Sequence, residues 1–173
     1  SKRKVTLSTA GLVPGIMRMK ETLDCSLAIS LHAPTDSVRS ILVPVNRKYP
    51  IKDLLAAASE YIESRQSLRK LIIEYTLIEG VNDSPQDAAR LAELLKPIKC
   101  KINLIPFNTF DGSDYRAPKD QYVKAFQRRL NLAGHRAMIR STRGSDIMAA
   151  CGQLAELSLS LIHISEPTRP LDI

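Results

Sequence analysis

The sequence has few aromatic side chains and only three cysteines, and both features limit the classes of protein that it fits. It has no Trp, three Phe and five Tyr, which is too few to suggest the aromatic stacking surfaces of single-strand nucleic-acid binders. Its three cysteines, Cys25, Cys100 and Cys151, are far apart and odd in number. That usage predicts a reducing, cytoplasmic location rather than a disulfide scaffold. Because no two of them have CxxC spacing, the sequence alone predicts no metal site.

Long apolar runs are absent as well, and acidic residues are fewer than basic residues. No run reaches the ~20 residues that a membrane helix needs, so no membrane partner is predicted. The chain has 25 Lys and Arg against 18 Asp and Glu, which gives a net charge of +7. A basic excess favours polyanionic partners such as RNA, through contacts to phosphate.

Strand-like and helix-like stretches alternate along the 173 residues, a length that fits one domain or part of a larger one. Apolar or β-branched runs predict strands at 4–8, 26–31, 71–78, 101–105 and 137–140. Amphipathic spacing, Pro and cap residues predict helices at 14–22, 51–64, 85–96 and 121–132, with one helical turn at 37–42. This alternation predicts an α/β fold with a parallel sheet and right-handed crossovers. Five strands cannot close an eight-stranded barrel, so a partial (β/α) barrel is predicted.

Polar or reactive residues follow the predicted strands, and the carboxyl ends of parallel strands carry the active site in α/β folds. These residues are Ser8, His32, Asn82, Asn108 and Cys151. Each also has a purely structural interpretation, as a turn cap, a satisfied loop histidine, a turn amide or a buried thiol. Asn103, in the middle of a predicted strand, is interpreted as structural.

One stretch near the end of the sequence concentrates reactive groups. Residues 140–154 hold Arg140, Arg143 and Gly144, and small residues flank Cys151 on both sides. A substrate or cofactor can therefore approach the sulfur closely. Arginines near a thiol favour the nucleophilic thiolate, so both would activate Cys151 if they lie beside it. The alternatives for the two arginines are contacts to RNA phosphate or solvated surface charge.

This stretch resembles the methyl-carrying cysteine motif of the radical-SAM adenine C2 methyltransferases of the RlmN type, which act on 23S rRNA and tRNA. The resemblance continues through Asn103–Asn108 (NLIPFN), Ser30–Pro34 (SLHAP) and Thr6–Thr9 (TLST), and it covers about residues 3–156. It implies that residues 1–156 are the C-terminal part of a radical-SAM barrel. It also implies methylation of C2 of adenine through a methylated cysteine.

The resemblance implies two cofactors, S-adenosylmethionine and a [4Fe-4S] cluster. Cys151 would accept the methyl group and carry the radical, and a second cysteine would resolve the RNA adduct through a transient disulfide. The residues that would bind S-adenosylmethionine are Ser8, Ser30, Leu31, His32 and Asn108. The implied partners are 23S rRNA, tRNA and an electron donor such as flavodoxin.

Several features of that family have no counterpart in this sequence: the CxxxCxxC cluster motif, the glycine-rich SAM strand motif and the catalytic glutamate. We therefore expect a fragment that is inactive alone. Residues 157–173 lack a helix or strand pattern, and 159–169 look like a translated transposon sequencing adapter, so we expect a non-native tail. The open alternatives are a non-catalytic basic RNA-binding module and an adenine C8 methyltransferase relative. A phosphate-handling barrel enzyme is a weaker alternative, because no glycine-rich phosphate loop follows any predicted strand.

Overall fold

The computed structural model describes residues 5–64, 71–110 and 112–140. The strands are β1 (Thr6–Thr9), β2 (Ser26–Ser30), β3 (Leu71–Leu77), β4 (Cys100–Pro106) and β5 (Arg136–Ile139). The helices are α1 (Val13–Thr22), α2 (Asp36–Leu42), α3 (Ile51–Glu63), α4 (Pro85–Leu95) and α5 (Asp120–Leu132), with a 3-10 turn at Pro44–Arg47. All five predicted strands and all four longer predicted helices are confirmed, and their ends agree within two residues.

The described residues all belong to the first of two units, residues 1–141 and 142–173, into which the chain divides. Cys151, Arg143 and the predicted tail 157–173 therefore lie outside the described residues. Their predicted roles stay predictions.

The five strands form one parallel sheet whose spatial order is the chain order, β1-β2-β3-β4-β5. In the register, Glu74 of β3 pairs with Ser30 on one side and with Asn103 on the other. A doubly wound sheet reverses its strand order at a switch point, whereas the wall of a β/α barrel does not. The predicted partial barrel is confirmed.

The helices cover one face of this sheet. Along β3, Leu71, Ile73, Tyr75 and Leu77 are buried, and the residues between them are partly exposed. The buried residues share one core with residues of α1, α3, α4 and α5. For example, the ring centroids of Tyr75 and Phe126 lie 5.5 Å apart. Because side chains alternate between the faces of a strand, the face away from the helices receives the polar residues.

Two helix ends follow the predicted capping chemistry. Before α4, the Ser84 Oγ accepts a hydrogen bond from the Asp87 N–H at 3.1 Å, and the Asp87 carboxylate accepts one from the Ser84 N–H at 3.3 Å. Pro85 occupies the first helical position, where its missing N–H costs nothing. After α5, Gly134 has φ 90°, the left-handed conformation that ends helices at glycine.

Candidate functional site

The predicted cofactor-binding residues lie along the carboxyl-end edge of the sheet. Ser8 is in β1, Ser30 is the last residue of β2, and His32 follows it by two residues. Asn108 follows the end of β4 by two residues and is half-buried. Because β1, β2 and β4 are parallel, all four residues lie toward the carboxyl ends of their strands. The register pairs Ser8 with Ala28, whereas Asn108 lies beyond the pair of Leu77 and Pro106, and no hydrogen bond of the described residues joins any two of the four.

Leu31 differs from its neighbours, since its side chain is fully buried in the core. Its N–H donates to the Glu74 carbonyl at 2.9 Å, and its own carbonyl accepts from the Arg39 Nε at 3.0 Å. The described contacts of Leu31 therefore hold Ser30 and His32 in place.

His32 is held in an unusual backbone conformation. Its φ is 59°, the only positive φ of a non-glycine residue in the described ranges. The Asn82 Nδ2 donates to the His32 carbonyl at 2.6 Å, and the Thr76 N–H donates to the His32 Nδ1 at 3.0 Å. Burial, assisted by the nearby Arg39 charge, lowers the pKa of His32 to about 4. The ring is therefore neutral near pH 7.

Asn82 was also predicted at this edge, and both the oxygen and the nitrogen of its side-chain amide make hydrogen bonds inside the protein. The Oδ1 accepts from the Ile78 N–H at 2.7 Å, and the Nδ2 also donates to the Thr76 carbonyl at 2.7 Å. The Tyr75 hydroxyl donates to the Asn82 carbonyl at 2.8 Å. Asn82 is fully buried, and its contacts fix His32 and the turn that follows β3.

A fully buried arginine ties the ends of β1 and β2 together. The Arg39 Nη2 donates to the Ala10 carbonyl at 2.6 Å and to the Ser30 carbonyl at 3.1 Å, next to the Leu31 contact of its Nε. Burial lowers the pKa of Arg39, and the Asp36 charge partly opposes this shift. The hydrogen bonds satisfy donors that would otherwise be costly to bury.

Asn46 links this arginine to the start of α3. Its Oδ1 accepts from the Arg39 Nη1 at 2.8 Å, and its Nδ2 donates to the Asp36 Oδ1 at 2.9 Å. The same carboxylate oxygen accepts from the Ile51 N–H at 2.8 Å. Sequence reasoning missed this network, because each of its polar residues looks like ordinary surface composition.

Glu74 is a second site residue that sequence reasoning missed. It lies on the polar face of the central strand, with its side chain 21% exposed. The Ser8 Oγ donates to the Glu74 Oε2 at 3.3 Å, and the Arg140 Nη1 lies 3.8 Å from the Oε1. Glu74 thus joins β1 to the residue after β5. The available signal was a charged residue within an apolar strand, which is uncommon in buried positions.

The described cysteines are not placed for catalysis. Cys25 is buried, with its Sγ 3.7 Å from the Tyr61 hydroxyl. Burial raises the pKa of Cys100 to about 11, so its thiol stays protonated at neutral pH. Asn103 is nearly buried within β4, in keeping with its structural interpretation. Across 5–64, 71–110 and 112–140, no cluster of three or more His, Cys, Asp or Glu side chains could hold a metal ion, and no helix is long and apolar enough to cross a membrane.

No family model matches the chain. It is 58% identical over 154 residues to the dual-specificity RNA methyltransferase RlmN of Marinobacter nauticus, and 54% identical over 154 residues to that of Marinomonas sp.. The chain is a homologue of RlmN. Each match covers 89% of this chain and 42% of the relative, so the chain spans about two fifths of the length of these RlmN proteins.

Solved structures agree with this relationship. A radical SAM methyltransferase from Sphaerobacter thermophilus is 45% identical, with a TM-score of 0.83 over 88% of this RlmN homologue and 45% of that chain. A domain of a pyruvate-formate lyase-activating enzyme from Bacteroides vulgatus has a TM-score of 0.61 at 21% identity, over 78% of this chain and 80% of that one. At that identity the likeness concerns the fold alone.

Proposed function

We propose that this chain is the part of an RNA methyltransferase that binds S-adenosylmethionine and supplies the methyl-accepting cysteine. The reaction is radical methylation of C2 of adenine in 23S rRNA and tRNA, in the cytoplasm. The observation that carries the proposal is the 58% identity over 154 residues to a dual-specificity RNA methyltransferase. The polar edge built by Ser8, Ser30, His32 and Asn108 supports it.

The side chains at this edge suit S-adenosylmethionine. Its ribose hydroxyls, carboxylate and adenine nitrogens need hydrogen-bond partners, and the edge offers hydroxyl, imidazole and amide groups. Ser8 and Ser30 supply hydroxyls, His32 a neutral imidazole and Asn108 an amide. S-adenosylmethionine supplies the methyl group, and Cys151 is the sulfur that accepts it.

The [4Fe-4S] cluster does not fit this sequence. Cluster ligands are grouped cysteine thiolates, whereas Cys25, Cys100 and Cys151 are widely separated and two of them are buried or half-buried. We assign no step to the cluster from these residues, and we expect this chain alone not to methylate RNA. Methyl transfer by the purified 173-residue chain would contradict that expectation.

The proposal is tested by titrating the chain with S-adenosylmethionine and following its backbone amide signals by NMR. We expect the largest shifts at residues 8, 30–32 and 108. Asn108→Ala should weaken binding, whereas Ser59→Ala, on α3 at the helix-covered face, should leave it unchanged. Shifts confined to the helices, or equal binding by both variants, would contradict the proposed site.

The role of Cys151 is tested in a longer enzyme that contains this sequence. Cys151→Ala should abolish methylation of RNA while leaving S-adenosylmethionine binding intact, because the lost group accepts the methyl and does not hold the cofactor. Cys100→Ala is the matched control, since that thiol is half-buried and protonated. An active Cys151→Ala enzyme would exclude the cysteine route.

The RNA substrates and an electron donor such as flavodoxin are the proposed partners. The net charge of +7 supports an RNA partner, and it equally fits the alternative of a basic RNA-binding module without catalysis. The two readings differ in S-adenosylmethionine binding, which only the methyltransferase requires.

A further inference from the structure

His32 lies in a loop, yet contacts constrain both its backbone and its ring. Its backbone has a strained positive φ of 59°, its carbonyl is held by a fully buried asparagine, and its ring is held by a backbone N–H of β3. Strained residues persist where the surrounding structure fixes them, and they concentrate at binding sites. The constraints fix the direction of the ring and the position of its proton.

The position of the proton follows from one contact. The Thr76 N–H can only donate, so the His32 Nδ1 that it meets at 3.0 Å must accept and carries no proton. A neutral imidazole with a bare Nδ1 carries its proton on Nε2. Burial, with help from the Arg39 charge, lowers the pKa of His32 to about 4, which keeps the ring neutral. In the part of the chain that the structure describes, no group is hydrogen-bonded to Nε2.

We propose that His32 is a fixed hydrogen-bond donor through Nε2–H, and that the ligand atom it binds is an acceptor. This inference rests on the proposed function and makes it more specific. The carboxylate, the ribose oxygens and the adenine ring nitrogens of S-adenosylmethionine are acceptors, whereas its ammonium and sulfonium groups carry positive charge and do not accept hydrogen bonds from an N–H donor. His32 therefore binds one of these acceptor atoms. Thr76 and Asn82 are the residues that position its ring and its backbone.

Two substitutions distinguish the roles of the two ring nitrogens of His32. His32→Asn can keep an acceptor near the position of Nδ1, but it has no group at the position of Nε2. His32→Gln can place an amide N–H near the position of Nε2, but it loses the partner of Thr76. Asparagine is also among the residues that tolerate positive φ, so His32→Asn should fold at least as well as the wild type.

The experiment measures S-adenosylmethionine affinity by calorimetry for the wild-type chain and both variants, together with thermal midpoints. Loss of one hydrogen bond should weaken binding by the Asn variant by about tenfold, at an unchanged or higher midpoint. The Gln variant should bind more tightly than the Asn variant despite a lower midpoint. Equal affinities for the wild type and the Asn variant, or tighter binding by Asn than by Gln, would overturn the donor role.

Ring proton–nitrogen correlation spectra of the unliganded chain test the tautomer directly. The His32 signals are those that disappear in His32→Asn, and they should show a bare Nδ1 and a protonated Nε2 near neutral pH. A protonated Nδ1 would overturn this inference and leave the proposed function standing. Absence of binding by the wild-type chain would instead overturn the proposed function and, with it, the ligand assignment made here.

Discussion

Single residues at the carboxyl-end edge gain their properties from neighbours distant in sequence. Thr76 and Asn82 hold His32 from 44 and 50 residues away along the chain. Arg39 reaches the Ala10 carbonyl across 29 residues. The nature of each side chain is visible in the sequence, but its protonation and direction depend on these contacts.

The depressed pKa of His32 predicts a dependence of stability on pH. The unfolded ring takes up a proton near pH 6.5, whereas the folded ring does so near 4. Between these values acid favours the unfolded chain, so stability falls as pH is lowered, by on the order of 3 kcal/mol for this group. Urea unfolding at a series of pH values measures the effect. His32→Asn should lose less stability than the wild type over this interval, and identical pH profiles would contradict the prediction.

The hydrogen bond of the Tyr75 hydroxyl allows a second test on a single side chain. Tyr75→Phe removes the donor to the Asn82 carbonyl in a fully buried setting. We expect a loss of about 1–2 kcal/mol in the free energy of unfolding, because a buried acceptor loses its partner. Tyr122→Phe is the matched control, since Tyr122 is 50% exposed on α5. A similar loss in both variants would point to ring packing instead of the hydrogen bond.

The sequence predicted Ser8, Ser30, His32 and Asn108 as site residues but gave no indication of the contacts that Arg39 and Glu74 make, and the reason is physical. Residues that follow strands can be recognised in the sequence, because the strand pattern and a sequence motif both mark their positions. Arg39 lies in a short helix, and its burial depends on carbonyls presented by two other segments. The partners of Glu74 come from the first strand and from beyond the last one. Such long-range contacts have no local pattern.

Secondary-structure elements were predictable because their signals are local. Apolar runs marked the strands, and Ser84-Pro85 and Gly134 marked helix ends. Tyr61 was not predicted as a core residue of α3, yet it is fully buried. Its hydroxyl donates to the Cys25 carbonyl at 3.0 Å, which satisfies the polar atom and lets the ring enter the core.

The capping box of α4 predicts a stability effect that belongs to one helix. Ser84→Ala removes the acceptor of the Asp87 N–H, and we expect a loss of about 1 kcal/mol. The matched control is Gln86→Ala, an exposed position in the first turn of the same helix. Urea unfolding measures both. An unchanged stability for Ser84→Ala would show that another group satisfies the helix start.

The whole molecule has its core on only one side of the sheet in the described residues, between the strands and the helices. The alternation of elements predicted a parallel sheet, and five strands predicted a partial barrel. The sequence could not predict how the polar face is occupied, because that face contains mixed residues such as Ser8, Glu74 and Met138 without a periodic signal of their own.

The one-sided core predicts different responses to one substitution at two positions. Leu91→Ala in α4 empties a fully buried site, and we expect a loss of about 2–5 kcal/mol. Leu132→Ala at the end of α5, where the side chain is 79% exposed, should change stability by less than about 0.5 kcal/mol. Urea unfolding measures both, and comparable losses would contradict the assigned core.

The agreement between strand order and chain order bears on how the molecule is made. Each strand after β1 pairs with the strand synthesised just before it. During synthesis a growing chain can therefore extend its sheet one strand at a time, without waiting for a later segment to be inserted between strands already paired. The paired residues are still about 20 to 44 positions apart in the sequence, so each new strand joins the sheet only after the crossover segment before it has been made. The topology therefore permits the strands to join the sheet in the order in which they are translated.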